Sequence, residues 1–450
     1  MNIPRKILAH LLEWKTSPVR KPLILRGARQ VGKTTIVREF SKTFDHYAEL
    51  NLERDQDRAL FENDDIDTIL NSIYLVKGIA PEAGESVFLF IDEIQESPQA
   101  IRLLRYFYEE KPEIHVIAAG SLLEFALKEV SSFPVGRVSF LYMHPVNFEE
   151  YLEALKNEPA VKMLNNIPIA DYAHNILLKL FHEYAIIGGM PEILSLYIDD
   201  HNIASLAKAY QDLWQAYKDD VEKYAQNNSF RNIIRHIIET APYETDRIKF
   251  EGFGKSNYRS REVGEAFRAL DMAKVIQLIY PAVSLEPPML PDLKKRPRLQ
   301  FLDTGMINQV LMLQGEMLLL HELDDFYRGR IIQHLVYQEV ISAHLQVEYK
   351  PNFWVRESND SNAEVDLIYR SGKYIIPIEI KSGKTGTLRS LHQFVDRAKH
   401  PYAIRIYSGK FNVENAITPA GKPYLLMNLP YYLGTKLPEY INWFTDNHSI

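Results

Sequence analysis

Gly27-Ala28-Arg29-Gln30-Val31-Gly32-Lys33-Thr34, followed by Thr35, fits the pattern G-x-x-x-x-G-K-[ST]. Glycines at that spacing let backbone N–H groups close around phosphate oxygens, and the N-terminus of the following helix adds positive potential. In such a loop Lys33 would neutralise β- and γ-phosphate charge, and the Thr34 hydroxyl would enter the Mg²⁺ shell. Further along, the apolar run Val87–Ile91 ends in Asp92-Glu93. Two carboxylates at the end of a buried strand suit two tasks: Asp92 would hold the hydrated Mg²⁺, and Glu93 would orient or deprotonate the attacking water. A third constellation lies near the C-terminus, where Asp366 precedes Glu379-Ile380-Lys381. A hairpin turn at Arg370–Lys373 would set Asp366 opposite Glu379, with Lys381 on the same strand face as Glu379. Two carboxylates and a lysine so placed could hold a second Mg²⁺ and polarise a water.

These residues need elements to carry them. Between 20 and 145 short apolar runs alternate with helical patterns, the signature of a parallel α/β sheet. Leu23–Leu25, Ala48–Leu52, Val87–Ile91 and Ile114–Ala119 read as strands, and 34–41, 55–75 and 98–110 as helices. From 146 to 224 the periodicity is helical. Residues 225–320 show helices and then a short extended pair, the order of a winged helix-turn-helix. From 321 to 450 one helix leads into alternating strands. The expected boundaries are therefore 1–145, 146–224, 225–320 and 321–450. The aromatic helix at Tyr210–Tyr224 reads as packing, not base stacking.

The chain has 450 residues, a formal charge of −7 and no cysteine. Cysteine-ligated metals, disulfides and thiol catalysis are excluded, and the 14 histidines form no close metal pattern. The charge excludes a uniformly basic nucleic-acid coat, but 225–300 holds 13 Lys and Arg against 9 Asp and Glu. Arg259, Arg261, Arg268, Lys294, Lys295, Arg296 and Arg298 could follow a duplex backbone. The same balance also fits a winged helix used only for packing. No apolar run reaches the roughly 18 residues of a membrane helix, and a cytoplasmic location without membrane contact is expected.

The segments GARQVGKTT, FLFIDEIQ, VIAAGSLLEFAL and GRVSFLYMHPVNFEEYL resemble the predicted bacterial and archaeal AAA-type ATPases related to the archaeal ATPase and STAND groups. The resemblance implies that Ser121 senses the γ-phosphate and that Arg137, in Gly136-Arg137, stabilises transition-state charge. It also implies a helix-breaking turn at Gly188-Gly189-Met190-Pro191, and it includes Leu299–Gly305. The Asp366/Glu379/Lys381 set resembles the PD-(D/E)XK nuclease fold. The family's helix preceding those strands usually supplies a Glu to the metal, where this chain has the neutral Gln333; Glu339, six residues on, should point elsewhere.

The expected fold is α/β: a P-loop NTPase core with a parallel sheet, then a helical and winged-helix region, then a C-terminal α/β restriction-endonuclease-like domain. The expected activity is hydrolysis of Mg·ATP that drives or gates a DNA-directed module, in a chain that could self-associate. The alternative is a nucleotide-dependent protein-interaction switch with little turnover and no role with nucleic acid.

Overall fold

The computed structural model describes residues 3–449 apart from 122, 125–132, 224, 226, 315–326, 358–361 and 384–386. Part of the VIAAGSLLEFAL motif, Tyr224 and the expected boundary at 320/321 fall outside the described residues.

The N-terminal part runs α1 (Ile7–Thr16), β1 (Leu23–Arg26), α2 (Lys33–Ser41), β2 (His46–Asn51), α3 (Asp55–Ala59), α4 (Ile66–Lys77), β3 (Val87–Asp92), α5 (Pro98–Glu110), β4 (His115–Ala119) and β5 (Ser139–Tyr142). The five strands pair in parallel in the order β2-β3-β4-β1-β5. A parallel sheet is covered on both faces, so its central strands β3 and β4 are buried along their whole length. Leu89 and Ile91 of β3 accordingly enter one core cluster while Phe88 and Phe90 enter the other. The helix expected over 55–75 is two helices. Asn63-Asp64-Asp65 interrupts it, and the Asp65 carboxylate accepts from the Thr68 N–H at 2.8 Å, starting α4 afresh.

Next come the helices α6 (Phe148–Ala154), α7 (Glu158–Leu164), α8 (His174–Ile187), α9 (Pro191–Asp200), α10 (Ala207–Glu222), α11 (Asn228–Thr240) and α12 (Ser260–Met272). Strand β6 (Ile276–Ile279) pairs antiparallel with β8 (Arg298–Phe301), giving two helices and a two-stranded hairpin. The loop between those strands contains β7 (Pro281–Ala282), which leaves the hairpin and pairs in parallel with β9 (Asn352–Arg356).

After α13 (Thr304–Val310) and α14 (Tyr327–Ser342), strands β10 (Ala363–Ser371) and β11 (Tyr374–Ile380) form a hairpin. Helix α15 (Arg389–Arg397), β12 (Tyr402–Tyr407), β13 (Asn412–Ile417), β14 (Pro423–Pro430) and α16 (Leu437–Asn447) complete the chain. The last sheet is mixed, in the order β13-β14-β12-β11-β10-β9-β7. One hydrophobic cluster runs from Val146 in front of α6, through α11 and α12, into β11, β12 and α16. The helical, hairpin and C-terminal parts thus share one core across the expected boundaries.

Candidate functional site

Strand β1 delivers Gly27–Gly32 to the carboxyl edge of the first sheet, where ligands of open α/β sheets bind. The loop needs its glycines: Gly27 has φ +153, and a Cβ there would lie 2.3 Å from the Met143 carbonyl oxygen. Gly32 has φ +96 and caps α2. Lys33 is 8% exposed, and its Nζ donates to the carbonyls of Gly27 at 3.0 Å and Ala28 at 2.7 Å. Burial lowers its pKa to about 8 against the opposing pull of Glu93 and Asp92. Among the described residues it has no ion pair within contact distance; the two carbonyls hold this buried ammonium, and Glu93 and Asp92 attract it from farther off.

The Thr34 hydroxyl donates to Asp92 Oδ2 at 2.9 Å, joining the two sides that the sequence pairs around Mg²⁺. Burial raises the Asp92 carboxyl. Glu93 sits in the left-handed region at φ 51, which turns it out of line with β3, and Gln95 Nε2 donates to its Oε2 at 2.7 Å. Ser121 lies at the end of β4, buried, in the same cavity. That cavity measures about 450 Å³ and gathers Arg29, Gln30, Gly32, Lys33, Thr34, Thr35, Asp92, Glu93 and Ser121. The donor set fits a Mg-nucleoside triphosphate: a glycine cradle, a buried cation held by carbonyls, and a hydroxyl–carboxylate pair.

The structure does not bring Arg137 to this cavity. It is paired with Glu109 at 2.7 Å on the surface beside Arg102 and Arg105.

Several residues at the site have no motif to announce them. Arg5 donates to the Val31 carbonyl at 2.8 Å and pairs with Glu150 at 3.1 Å, so the segment before α1 clamps the phosphate loop. Ile3, Met143 and Pro191 line the cavity as well. Gln95 fits because residue 120 is glycine; a Cβ there would stand 2.1 Å from Gln95 Oε1. From α10, Asp220 pairs with Arg29, and the Tyr217 hydroxyl donates to the Arg29 carbonyl. The aromatic helix therefore packs, as expected of Tyr210, Trp214 and Tyr217, and also touches the loop.

Gly188-Gly189-Met190-Pro191 ends α8 and begins α9. Gly189 N–H donates to Asp303 Oδ2 at 2.5 Å, and a Cβ on Gly188 would lie 2.4 Å from Asp303 Oδ1. Asp303 is fully buried, and burial raises its pKa to about 6. Gln338 of α14 donates to the same carboxylate at 3.2 Å. Leu299–Gly305 thus gains a physical role that its spacing does not disclose: Asp303 fastens the turn behind Pro191.

In the C-terminal hairpin Leu367 pairs with Ile378, which sets Asp366 opposite Glu379 as expected. Lys381 Nζ donates to Glu379 Oε1 at 2.6 Å, and Gln333 Nε2 reaches Asp366 Oδ1 at 3.4 Å. Glu339 points elsewhere, accepting from the Phe148 N–H at 3.2 Å and the Tyr184 hydroxyl at 2.8 Å. Burial and the nearby Asp366 raise the Glu379 carboxyl. A second Mg²⁺ does not fit this set. Asp366 already accepts from the Ile380 N–H at 3.0 Å, and Arg298 stands 3.5 Å from its other oxygen. No group of three His, Asp or Glu among the described residues is spaced to hold a metal.

Residues 19–152 match a family model described as an AAA domain, while 178–316 and 328–421 match two described as domains of unknown function. No curated protein matches the chain significantly. Among solved structures, a Walker-type ATPase of Pyrococcus abyssi is 14% identical at TM-score 0.44, over 69% of this chain and 96% of that one. A STAND protein with a tetratricopeptide repeat sensor from Pyrococcus horikoshii is 11% identical at TM-score 0.28, over 75% of this chain and 45% of that one. The RuvB Holliday junction branch migration motor of Thermotoga maritima is 17% identical at TM-score 0.26, over 65% and 93%. No described helix is long and apolar enough to cross a membrane. With its parallel five-stranded sheet, glycine loop and strand-end carboxylates, the segment 19–152 has the architecture of a P-loop NTPase core and matches the AAA-domain model.

Proposed function

We propose that this chain binds and hydrolyses Mg·ATP, and that the cycle acts on the helical, hairpin and C-terminal parts. The observation that carries the reading is the Thr34–Asp92 pair beside a buried Lys33 whose hydrogen bonds go to the loop's own carbonyls, all within one cavity. When bound, Mg·ATP supplies the reacting phosphoanhydride and a divalent charge on its phosphates. Lys33 neutralises the phosphates, Thr34 and Asp92 hold the metal shell, and Ser121 hydrogen-bonds the γ-phosphate. Glu93, steadied by Gln95, takes the proton of the attacking water. Lys33→Ala should abolish nucleotide binding. Glu93→Gln should retain binding and slow turnover by about 10²–10⁴-fold, the range for a general base. Turnover equal to wild type in both variants rejects the site.

The reading extends to DNA as the ligand of the middle region. Residues 225–320 are taken as a winged helix-turn-helix, and a cleft of about 520 Å³ there is lined by Lys249, Lys255 and Arg296. These three make no ion pair with any described residue, which leaves them available to phosphates. The protein-interaction switch is favoured by a different observation. Several other basic residues of the region are spent inside the molecule: Arg247 and Lys295 on Glu357, Lys274 on Glu348 and Arg261 on Glu265. ATP turnover measured with and without single- and double-stranded DNA decides. Stimulation that falls steeply with salt supports the DNA reading; unchanged turnover supports the switch. A trans contribution from Arg137 in a homo-oligomer belongs to the same proposal and predicts turnover that rises with protein concentration.

A further inference from the structure

The carboxylates of the C-terminal hairpin face a cation that comes from outside the hairpin. Arg298, the first residue of β8, points its guanidinium between Glu364 and Asp366 of β10, pairing with Glu364 and lying 3.5 Å from Asp366 Oδ1. The flat guanidinium also stacks over Phe353 of β9, 4.6 Å from the ring centre, and its side chain is only 17% exposed. Arg247 follows on the outer side, 3.2 Å from Glu364 and 2.7 Å from Glu357, where Lys295 adds its own charge.

Counting charges decides what such a cluster can accept. The carboxylates are Asp366, Glu379, Glu364 and Glu357. Facing them are Arg298, Lys381, Arg247 and Lys295. A hard divalent cation requires a site with surplus negative charge and several open oxygen lone pairs. Here the four carboxylates are matched by four cations, with Asp246 acting on Glu364 from beyond them; the buried Glu379 Oε2 has no hydrogen-bond partner among the described residues, and Gln333 offers a neutral amide where a third carboxylate would be needed.

We propose that Arg298 is the resident cation of the C-terminal carboxylate cluster, replacing a divalent metal and locking the β6–β8 hairpin onto the last sheet. A guanidinium suits the position because its Nη2 faces both Glu364 and Asp366 while its flat face stacks on Phe353. The buried side chain loses hydration, yet Tyr337, Asp366 and Glu364 keep it charged. The inference rests on the likeness of Asp366, Glu379 and Lys381 to a nuclease centre only for its contrast, and it is independent of the nucleotide site.

Mn²⁺ titration of the nucleotide-free full chain, followed by calorimetry and electron paramagnetic resonance, tests it. Wild type and Asp366→Ala should show the same divalent binding. A Mn²⁺ site present in wild type and lost in Asp366→Ala overturns the proposal. Thermal unfolding of Arg298→Gln, Asp366→Asn and the double variant gives the second reading. Either single change should lower Tm, and the double variant should lie well above the sum of the two losses. Strictly additive losses overturn the lock. Where Arg298→Gln does not fold, Arg298→Lys takes its place, retaining charge but not the flat face over Phe353 and unfolding below wild type. Neither readout involves ATP turnover, so failure here is distinct from failure at the nucleotide site.

Discussion

Single side chains at the phosphate loop are held by close contacts more than by sequence neighbours. Gly27→Ala would place a methyl 2.3 Å from the Met143 carbonyl oxygen, so the loop or β5 must move. The expected result is loss of nucleotide binding in equilibrium dialysis while α-helical circular dichroism persists. Arg5→Ala removes the donor to Val31 and leaves Glu150, which is almost fully buried, without its guanidinium. Breaking a buried pair from one side costs about 3–5 kcal/mol. Chemical denaturation should register a loss of that order, together with a raised KM for ATP, and an unchanged KM would separate Arg5 from the loop. None of this is spelled by the motif. Lys33, Thr34, Asp92 and Glu93 are legible because phosphate chemistry restricts residue type and spacing. Arg5, Gln95 and Asp220 are not, since an arginine, a glutamine and an aspartate are common in any helix or loop.

Helix α14 shows what an element does beyond its own face. Its Gln338 holds Asp303 behind the Gly188–Pro191 turn, and its Gln333 reaches Asp366 in the C-terminal hairpin. Next to Gln338, Glu339 is completely buried against Tyr184 and Phe148, and burial raises its pKa to about 8 from 4.5. The folded state therefore retains a proton that the unfolded chain releases above its ordinary pKa. Stability should fall as pH rises from about 4.5 and level off above about 8. Asp303, raised to about 6 from 3.8, adds a decline in the lower part of that window. Glu339→Gln mimics the protonated acid and should flatten the Tm–pH profile above pH 6; an unaltered slope would assign the titration elsewhere. The sequence pattern identifies this helix but not these roles. A glutamate on a helix usually faces water, and only the packing of α6 and α8 against α14 puts this one in the core.

Across the molecule the middle and last parts are joined by core and by charge. Strand β7 belongs to the last sheet although it lies within the β6–β8 connection, and the shared cluster continues from Val146 to Phe444. At α6, Glu149 pairs with both Lys6 and Lys436, so the two ends of the chain meet on one helix. A chain ended at residue 320 would bare that apolar surface. It should aggregate or melt without a cooperative transition in calorimetry and size-exclusion chromatography, whereas a soluble, cooperatively folding fragment would show that the hairpin region stands alone. The same joining explains where the positive charge of 225–300 went. Lys295 and Arg298 read as nucleic-acid contacts when counted along the chain, yet they face Glu357, Glu364 and Asp366.

The sequence by itself determined the alternating core, the phosphate loop and its strand-end carboxylates, and the Asp366–Glu379 register. Each follows from local rules: side-chain period, glycine spacing, and the geometry of a short turn. Tertiary structure alone decided that Arg137 lies away from the cavity, that Arg5 and Asp220 lie against the loop, and that Arg298 meets the carboxylate cluster. Those outcomes depend on contacts between residues far apart in the chain, and a count of charges carries no information about which charges meet. A net figure of −7, with its positive stretch in the middle, is equally compatible with a surface bound to DNA and with a seam closed on itself.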